Sequence, residues 1–142
     1  RLMGLDGNAK MSKSLNNTIL LSEKPDDVIK KLKKAKTDPQ KLRRNDPGRP
    51  EVCLVFSYHQ KFNPDEILEI EASCKSGALG CADCKVKCSS GINNFLEPIL
   101  EKRTIYENDL DLVKQIIDDG EAKAKIIASA TMEEVHSVMK IG

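Results

Sequence analysis

Gly4-Leu5-Asp6-Gly7-Asn8-Ala9-Lys10-Met11-Ser12-Lys13-Ser14-Leu15-Asn16-Asn17 is the stretch on which the reading of this chain turns. Its glycines, asparagines and serines predict a loop. Lys10 and Lys13 stand three apart on it, so both ammonium groups reach one polyphosphate. Ser12 and Ser14 add hydroxyl donors, and open backbone N–H groups add more. Such a loop suits closure over a leaving pyrophosphate, where it neutralises charge that grows in the transition state. A flexible surface linker is the plainer alternative.

Outward from the loop, Thr18-Ile19-Leu20-Leu21 is a short apolar run, either a strand end or a packed connector. Pro25 in a first turn, followed by Asp26 and Asp27, predicts a helix that buries Val28, Ile29, Leu32 and Ala35. Pro39, Pro47, Gly48 and Pro50 mark a loop. Residues 51–62 read as a helix with Leu54, Val55, Tyr58 and Phe62 on one side. Asn63 is the expected cap of the next helix, with Glu66 closing a capping box. From about residue 81 a longer helix runs to about 106, with Ile92, Phe95, Leu96 and Ile99 at helical spacing and Pro98 expected to kink it. Asn108 is the expected cap of the helix after it, whose inner face carries Val113, Ile116, Ile117, Gly120, Ala124 and Ile127. Thr131-Met132-Glu133-Glu134 reads as another capping box, opening a final short helix. No alternating strand pattern of length appears. The expected fold class is therefore mainly α, a helical bundle.

The 142 residues fit one domain, or a domain with a fragment of another. No apolar run approaches a membrane span. The chain starts on Arg1-Leu2-Met3-Gly4, without an initiator Met or a signal segment, and reads as a piece of something longer. With no Trp and 4% aromatic residues, the composition argues against extensive base stacking on aromatic platforms. The net charge of +1 conceals asymmetry. Residues 30–49 hold nine Lys/Arg against two Asp, while residues 97–121 hold eight acids against three bases. The basic run is either a solvated helix face or a phosphate-contacting patch.

Five cysteines remain: Cys53, Cys74, Cys81, Cys84 and Cys88. An odd count without a secretory segment points to a reducing cytoplasm, where disulfides are disfavoured. Clustered thiols in that setting indicate a metal before catalysis. Zinc and iron–sulfur clusters both accept four thiolates. Neither His59 nor His136 stands at zinc-finger spacing from them.

Lys10-Met11-Ser12-Lys13-Ser14 matches the KMSKS signature, and here the chain resembles the class I aminoacyl-tRNA synthetases. Asn45-Asp46-Pro47-Gly48, Gly80-Cys81-Ala82-Asp83-Cys84-Lys85, Leu96-Glu97-Pro98-Ile99 and Ala130-Thr131-Met132-Glu133-Glu134-Val135 narrow the resemblance to the tryptophanyl-tRNA synthetase family, from the KMSKS loop onward. The resemblance implies that residues 1–21 end a Rossmann-type catalytic domain and that residues 22–142 form a helical anticodon-binding domain. It implies ATP contact by Lys10, Met11, Ser12, Lys13 and Ser14, with Lys10 and Lys13 catalytic. It implies ATP with Mg²⁺, L-tryptophan and tRNA(Trp) as substrates, and a cytoplasmic homodimer in the full enzyme. The family's upstream signature and most of its tryptophan pocket are not in this sequence, so the chain is expected to be inactive alone. Some members hold a [4Fe–4S] cluster on four cysteines, and Cys53, Cys74, Cys81 and Cys84 resemble that set; zinc is the runner-up, and Cys88 is spare or replaces Cys53. Arg43, Arg44, Arg49, Lys85 and Lys87 are the expected tRNA contacts. An autonomous metal-containing helical RNA-binding or interaction module is the alternative.

Overall fold

The computed structural model describes residues 2–7 and 10–140. Among the described residues it is built from helices: α1 (Pro25–Lys34), α2 (Leu54–Phe62), α3 (Ile67–Lys75), α4 (Cys81–Asn108) and α5 (Leu110–Met139). Single 3₁₀ turns, Pro50–Val52 and Pro64–Glu66, precede α2 and α3. The expected mainly helical class holds. Extended pairing among the described residues is limited to one antiparallel bridge between Met3 and Lys10. Thr18–Leu21 forms no strand; Ile19 packs against the core as a connector.

The chain divides into two compact units, Arg1–Leu100 and Glu101–Gly142. The core of the first gathers Leu5 from the N-terminal loop, Val28 and Leu32 from α1, Leu54, Val55 and Tyr58 from α2, and Cys88, Ile92 and Leu96 from α4. Ile70 is the buried residue of α3. Truncating a side chain as enclosed as Ile92 costs roughly 2–5 kcal/mol, because the cavity left behind collapses only in part. Phe62 links α2 to α4 by an edge-on contact with Phe95, ring centres 5.4 Å apart. In the second unit α5 buries none of its residues, so the predicted inner face through Ile116, Ile117 and Ile127 is exposed.

Three predicted caps differ from the structure. The Asn63 side chain caps no helix and turns to His59 instead. Asp109, not Asn108, caps α5, accepting from the Leu112 amide at 2.9 Å. Thr131 opens no new helix; its hydroxyl donates back to the Ile127 carbonyl at 3.1 Å, and α5 continues unbroken. That back-bond satisfies the hydroxyl within a helix and leaves the capping box unused.

The Pro- and Gly-rich segment between α1 and α2 is fixed by one carboxylate. Asp38, 4% exposed, accepts from the Gln40 amide (2.9 Å) and the Arg49 amide (2.9 Å). The Arg49 guanidinium adds Nε to Oδ2 at 3.1 Å and a terminal nitrogen to Oδ1 at 2.7 Å, a two-pronged pair. These donors hold the Asp38 carboxyl well below the usual carboxylate range, the Arg49 hydrogen bond first. The folded value is depressed, so the stabilisation is complete above the unfolded value of about 4 and is lost as pH falls below it. Thermal melting followed from neutral pH to strong acid checks this: below about pH 4 the melting temperature of wild type falls more steeply than that of Asp38→Asn, which starts lower.

Candidate functional site

The N-terminal loop is held open-side out. Lys10, Lys13 and Ser14 are exposed, whereas Met11 packs its thioether against the core. The Ser12 and Ser14 hydroxyls share a hydrogen bond of 2.8 Å. A turn closes from Lys13 to Asn16, whose φ of 50° is the left-handed geometry that asparagine tolerates best after glycine. So the sequence-predicted loop residues are consecutive on one exposed turn, with Lys10 and Lys13 both facing solvent.

Asn17 was not singled out from the sequence, yet it organises this loop. It is 3% exposed. Its Oδ1 accepts from the Ser12 amide at 2.8 Å, its Nδ2 donates to Asp6 Oδ1 at 3.1 Å, and its carbonyl accepts from the Leu5 amide at 2.8 Å. The base of the loop is tied down again where the buried Tyr58 hydroxyl donates to the Met3 carbonyl at 2.6 Å. The only sequence signal for Asn17 is its place at the loop's end, where a short amide side chain bonds backbone readily. Between this loop and α1 lies a cleft of about 420 Å³ with Asp6, Asn16, Asn17, Lys30, Lys31 and Lys34 on its walls. Lys30 is paired with Asp27 (2.9 Å) and Lys31 with Glu23 (2.6 Å), so part of the basic run is neutralised locally.

The second candidate site gathers the cysteines. Cys53 precedes α2, Cys74 lies near the end of α3, and Cys81 and Cys84 lie in the first turn of α4. All four are half-buried, and the Cys84 thiol feels the charge of the other three. Burial, then these neighbours, pushes the Cys84 thiol up to about 12 and the Cys74 thiol up as well. Lys41 opposes that shift at both. The sequence placed Lys41 in a solvated or phosphate-facing run; it is buried instead, its ammonium donating to the Asp46 carbonyl. Cys88 is completely buried within the hydrophobic core, where burial pushes its thiol up to about 12. It behaves there as a small apolar side chain.

Among the described residues no three His, Cys, Asp or Glu side chains converge as metal ligands. The thiols influence one another electrostatically without forming a ligand set, with Lys41 and, at Cys74, Asp38 also acting on them. A cleft of about 300 Å³ opens beside Cys81, with Lys41, Arg43, Arg44 and Asp83 on its walls.

The expected tRNA contacts are spread over the first unit. Arg43 is exposed. Arg44 pairs with Asp83 at 3.0 Å, both largely exposed. Arg49 is committed to Asp38. Lys85 donates to the Lys33 carbonyl at 2.9 Å, near the end of α1. Lys87 pairs with Glu66 at 2.8 Å. No described helix is long and apolar enough to cross a membrane.

The profile of the family described as "tRNA synthetases class I (W and Y)" matches residues 1–97. The tryptophan–tRNA ligase of Aquifex aeolicus is 44% identical over 99% of this chain, which covers 36% of that protein. That of Deinococcus radiodurans is 41% identical over the full chain, which covers 43% of it. The chain thus spans well under half the length of these curated relatives. The crystal structure of tryptophanyl-tRNA synthetase from Campylobacter jejuni, complexed with ADP and tryptophan, superposes with a TM-score of 0.86 at 26% identity, over 97% of this chain and 43% of that one. The Aeropyrum pernix enzyme superposes at 0.59 and 33% identity, over 70% of this chain and 29% of its own. The chain belongs to the class I tRNA synthetases of the tryptophan and tyrosine branch, and its relatives along its whole length are tryptophan–tRNA ligases.

Proposed function

We propose that this chain is the C-terminal portion of a cytoplasmic tryptophan–tRNA ligase, the part that supplies the KMSKS loop and a helical anticodon-binding domain. The observation that carries the reading is the loop itself, with Lys10 and Lys13 exposed above a frame tied by Asn17. In this reading the loop acts when ATP, bound with Mg²⁺, transfers its adenylyl group to the tryptophan carboxylate. Lys10 and Lys13 neutralise the departing pyrophosphate, while Met11, Ser12 and Ser14 shape and support the contact. Residues 1–21 then close the catalytic domain, and residues 22–142 meet tRNA(Trp). Arg43 and Arg44 are its best-exposed cations for phosphate, with Lys85, Lys87 and Arg49 nearby in sequence or held in structural pairs. The whole enzyme works as a homodimer.

The test is a chimaera in which this chain replaces its matching segment of the Aquifex aeolicus ligase. The chimaera is expected to catalyse tryptophan-dependent pyrophosphate exchange, and the 142-residue chain alone is not. In the chimaera, Lys10→Ala or Lys13→Ala lowers the exchange rate about 10²- to 10³-fold, the loss typical of one donor to developing transition-state charge. A folded chimaera without exchange activity would overturn the reading. Asn17→Ala frees the loop: tryptic cleavage after Lys10 and Lys13 becomes several-fold faster while the helical circular dichroism stays unchanged.

The cysteines complete the proposal. Cys53, Cys74, Cys81 and Cys84 hold a [4Fe–4S] cluster, zinc being the competing occupant, and the group supplies structural cross-linking and a redox couple when bound. What supports this is the spacing of the four cysteines in the sequence and their mutual electrostatic influence, with Lys41 acting on Cys74 and Cys84 to offset thiolate charge. Metal analysis and visible spectra of the anaerobically purified chain decide between occupants. Iron, inorganic sulfide and a broad visible absorption are expected, and Cys84→Ser removes them. Zinc without iron would exclude the cluster.

A further inference from the structure

The outgoing end of the N-terminal loop is fastened to α1 by an ion pair. The Lys31 ammonium donates to Glu23 Oε2 at 2.6 Å and to the Thr18 carbonyl at 3.0 Å. The same Glu23 oxygen accepts from the Leu20 amide at 3.1 Å. Thr18 and Leu20, just beyond the buried Asn17, are thus held by one pair of side chains. The pair is shielded from solvent, with side-chain exposures of 26% for Lys31 and 11% for Glu23. Its neighbour Lys30 only bonds Asp27 on the same helix. Anchoring α1 does not require Lys31, because Val28 and Leu32 are completely buried and the Lys36 amide donates to the Leu5 carbonyl at 3.2 Å. What the pair adds is a fixed exit for the loop.

The two loop lysines hang from opposite ends. Lys10 pairs with Met3 in the antiparallel bridge, and the Tyr58 hydroxyl holds the Met3 carbonyl. Lys13 belongs to the exit side. Its carbonyl accepts from the Asn16 amide at 3.2 Å, two residues before Thr18. The Ser12 amide, on its other flank, donates to Asn17 Oδ1 at 2.8 Å. The backbone on both sides of Lys13 therefore leads to the segment that Lys31 and Glu23 hold.

We propose that Lys31 and Glu23 are positioning residues for Lys13: they fix the loop's exit so that the Lys13 ammonium meets the departing pyrophosphate, while Lys10 is placed from the entry side. The inference rests on the loop acting on pyrophosphate, as proposed above. Both side chains act through the backbone and not by touching phosphate. Charge on the leaving group is greatest in the transition state, so a loosened Lys13 lowers the turnover rate and leaves ATP binding nearly unchanged. An ion pair that only stabilised the fold would lower the melting temperature and leave the turnover rate alone.

The experiment uses the chimaera with the Aquifex aeolicus ligase and follows pyrophosphate exchange against ATP concentration. Lys31→Met keeps the stem and deletes the ammonium. Its kcat is expected to fall about tenfold, less than in Lys13→Ala because the amine is misplaced and not lost, with KM for ATP within about twofold of wild type. Glu23→Gln keeps an acceptor for the Leu20 amide and is expected to lower kcat in the same way, while Lys31→Arg restores it. Lys31→Met combined with Lys13→Ala is expected to be no slower than Lys13→Ala alone, whereas with Lys10→Ala the two losses multiply. An unchanged kcat in folded Lys31→Met, or losses that multiply with Lys13→Ala, overturns the inference and leaves the loop reading standing. Should Lys31→Met fail to fold by circular dichroism, an unchanged kcat in Glu23→Gln overturns it instead. A folded wild-type chimaera without exchange overturns the loop reading and this inference together.

Discussion

A carboxylate that receives donors from both ends of a loop sets the loop's path more firmly than any run of loop residues does. Asp38 is that group here. Its bonds to the Gln40 amide and to the amide and guanidinium of Arg49 close the segment between α1 and α2 into a fixed arch. The arch lays the Gly48 amide on the Cys74 carbonyl at 2.9 Å, which joins the loop to the end of α3. It also turns Lys41 inward and delivers the chain to Pro50 and Cys53 at the head of α2. The pair is partly exposed on the arginine side and its geometry is two-pronged, which favours orientation over raw strength.

Periodicity made the helices of the first unit legible, because each buries a stripe against a common core and the stripe must repeat at helical spacing. α1, α2 and α4 were readable for that reason. The caps were not. Asn63 has the chemistry of a cap, but a buried imidazole one turn back competes for the same oxygen. Thr131 has the chemistry of a cap, but its hydroxyl finds the Ile127 carbonyl within the helix. In both cases a short polar side chain had two local partners, and sequence alone does not rank them.

The candidate sites divide in the same way. The KMSKS loop was readable as a string because its function lies in exposed charge. What holds it was not, since Asn17 works through bonds to Leu5 and Asp6 before the signature and to Lys10 and Ser12 within it. The cysteine spacing points to a set of four, but among the described residues no three of them converge as metal ligands. Lys41 and His59 stayed invisible: one is a lysine among many, the other a lone histidine on an apolar helix. Only burial distinguishes them, and burial is a property of the packed chain.

Both sites meet on one short helix. Tyr58 and His59 are consecutive residues of α2, and an α-helix sends consecutive side chains about 100° apart. Tyr58 therefore reaches the Met3 carbonyl at the base of the loop, while His59 reaches Cys84 among the thiols. Each residue is almost wholly enclosed and uses its polar atom once or twice, so neither can rotate away without orphaning a buried group. α2 is thus pinned from two directions by hydrogen bonds, and in the core by Leu54 and Val55. A shift of this helix along its axis would disturb the loop frame and the first turn of α4 at Cys84 at once. The loop and the cysteines lie far apart in sequence, yet the packing makes α2 a shared mechanical reference for both.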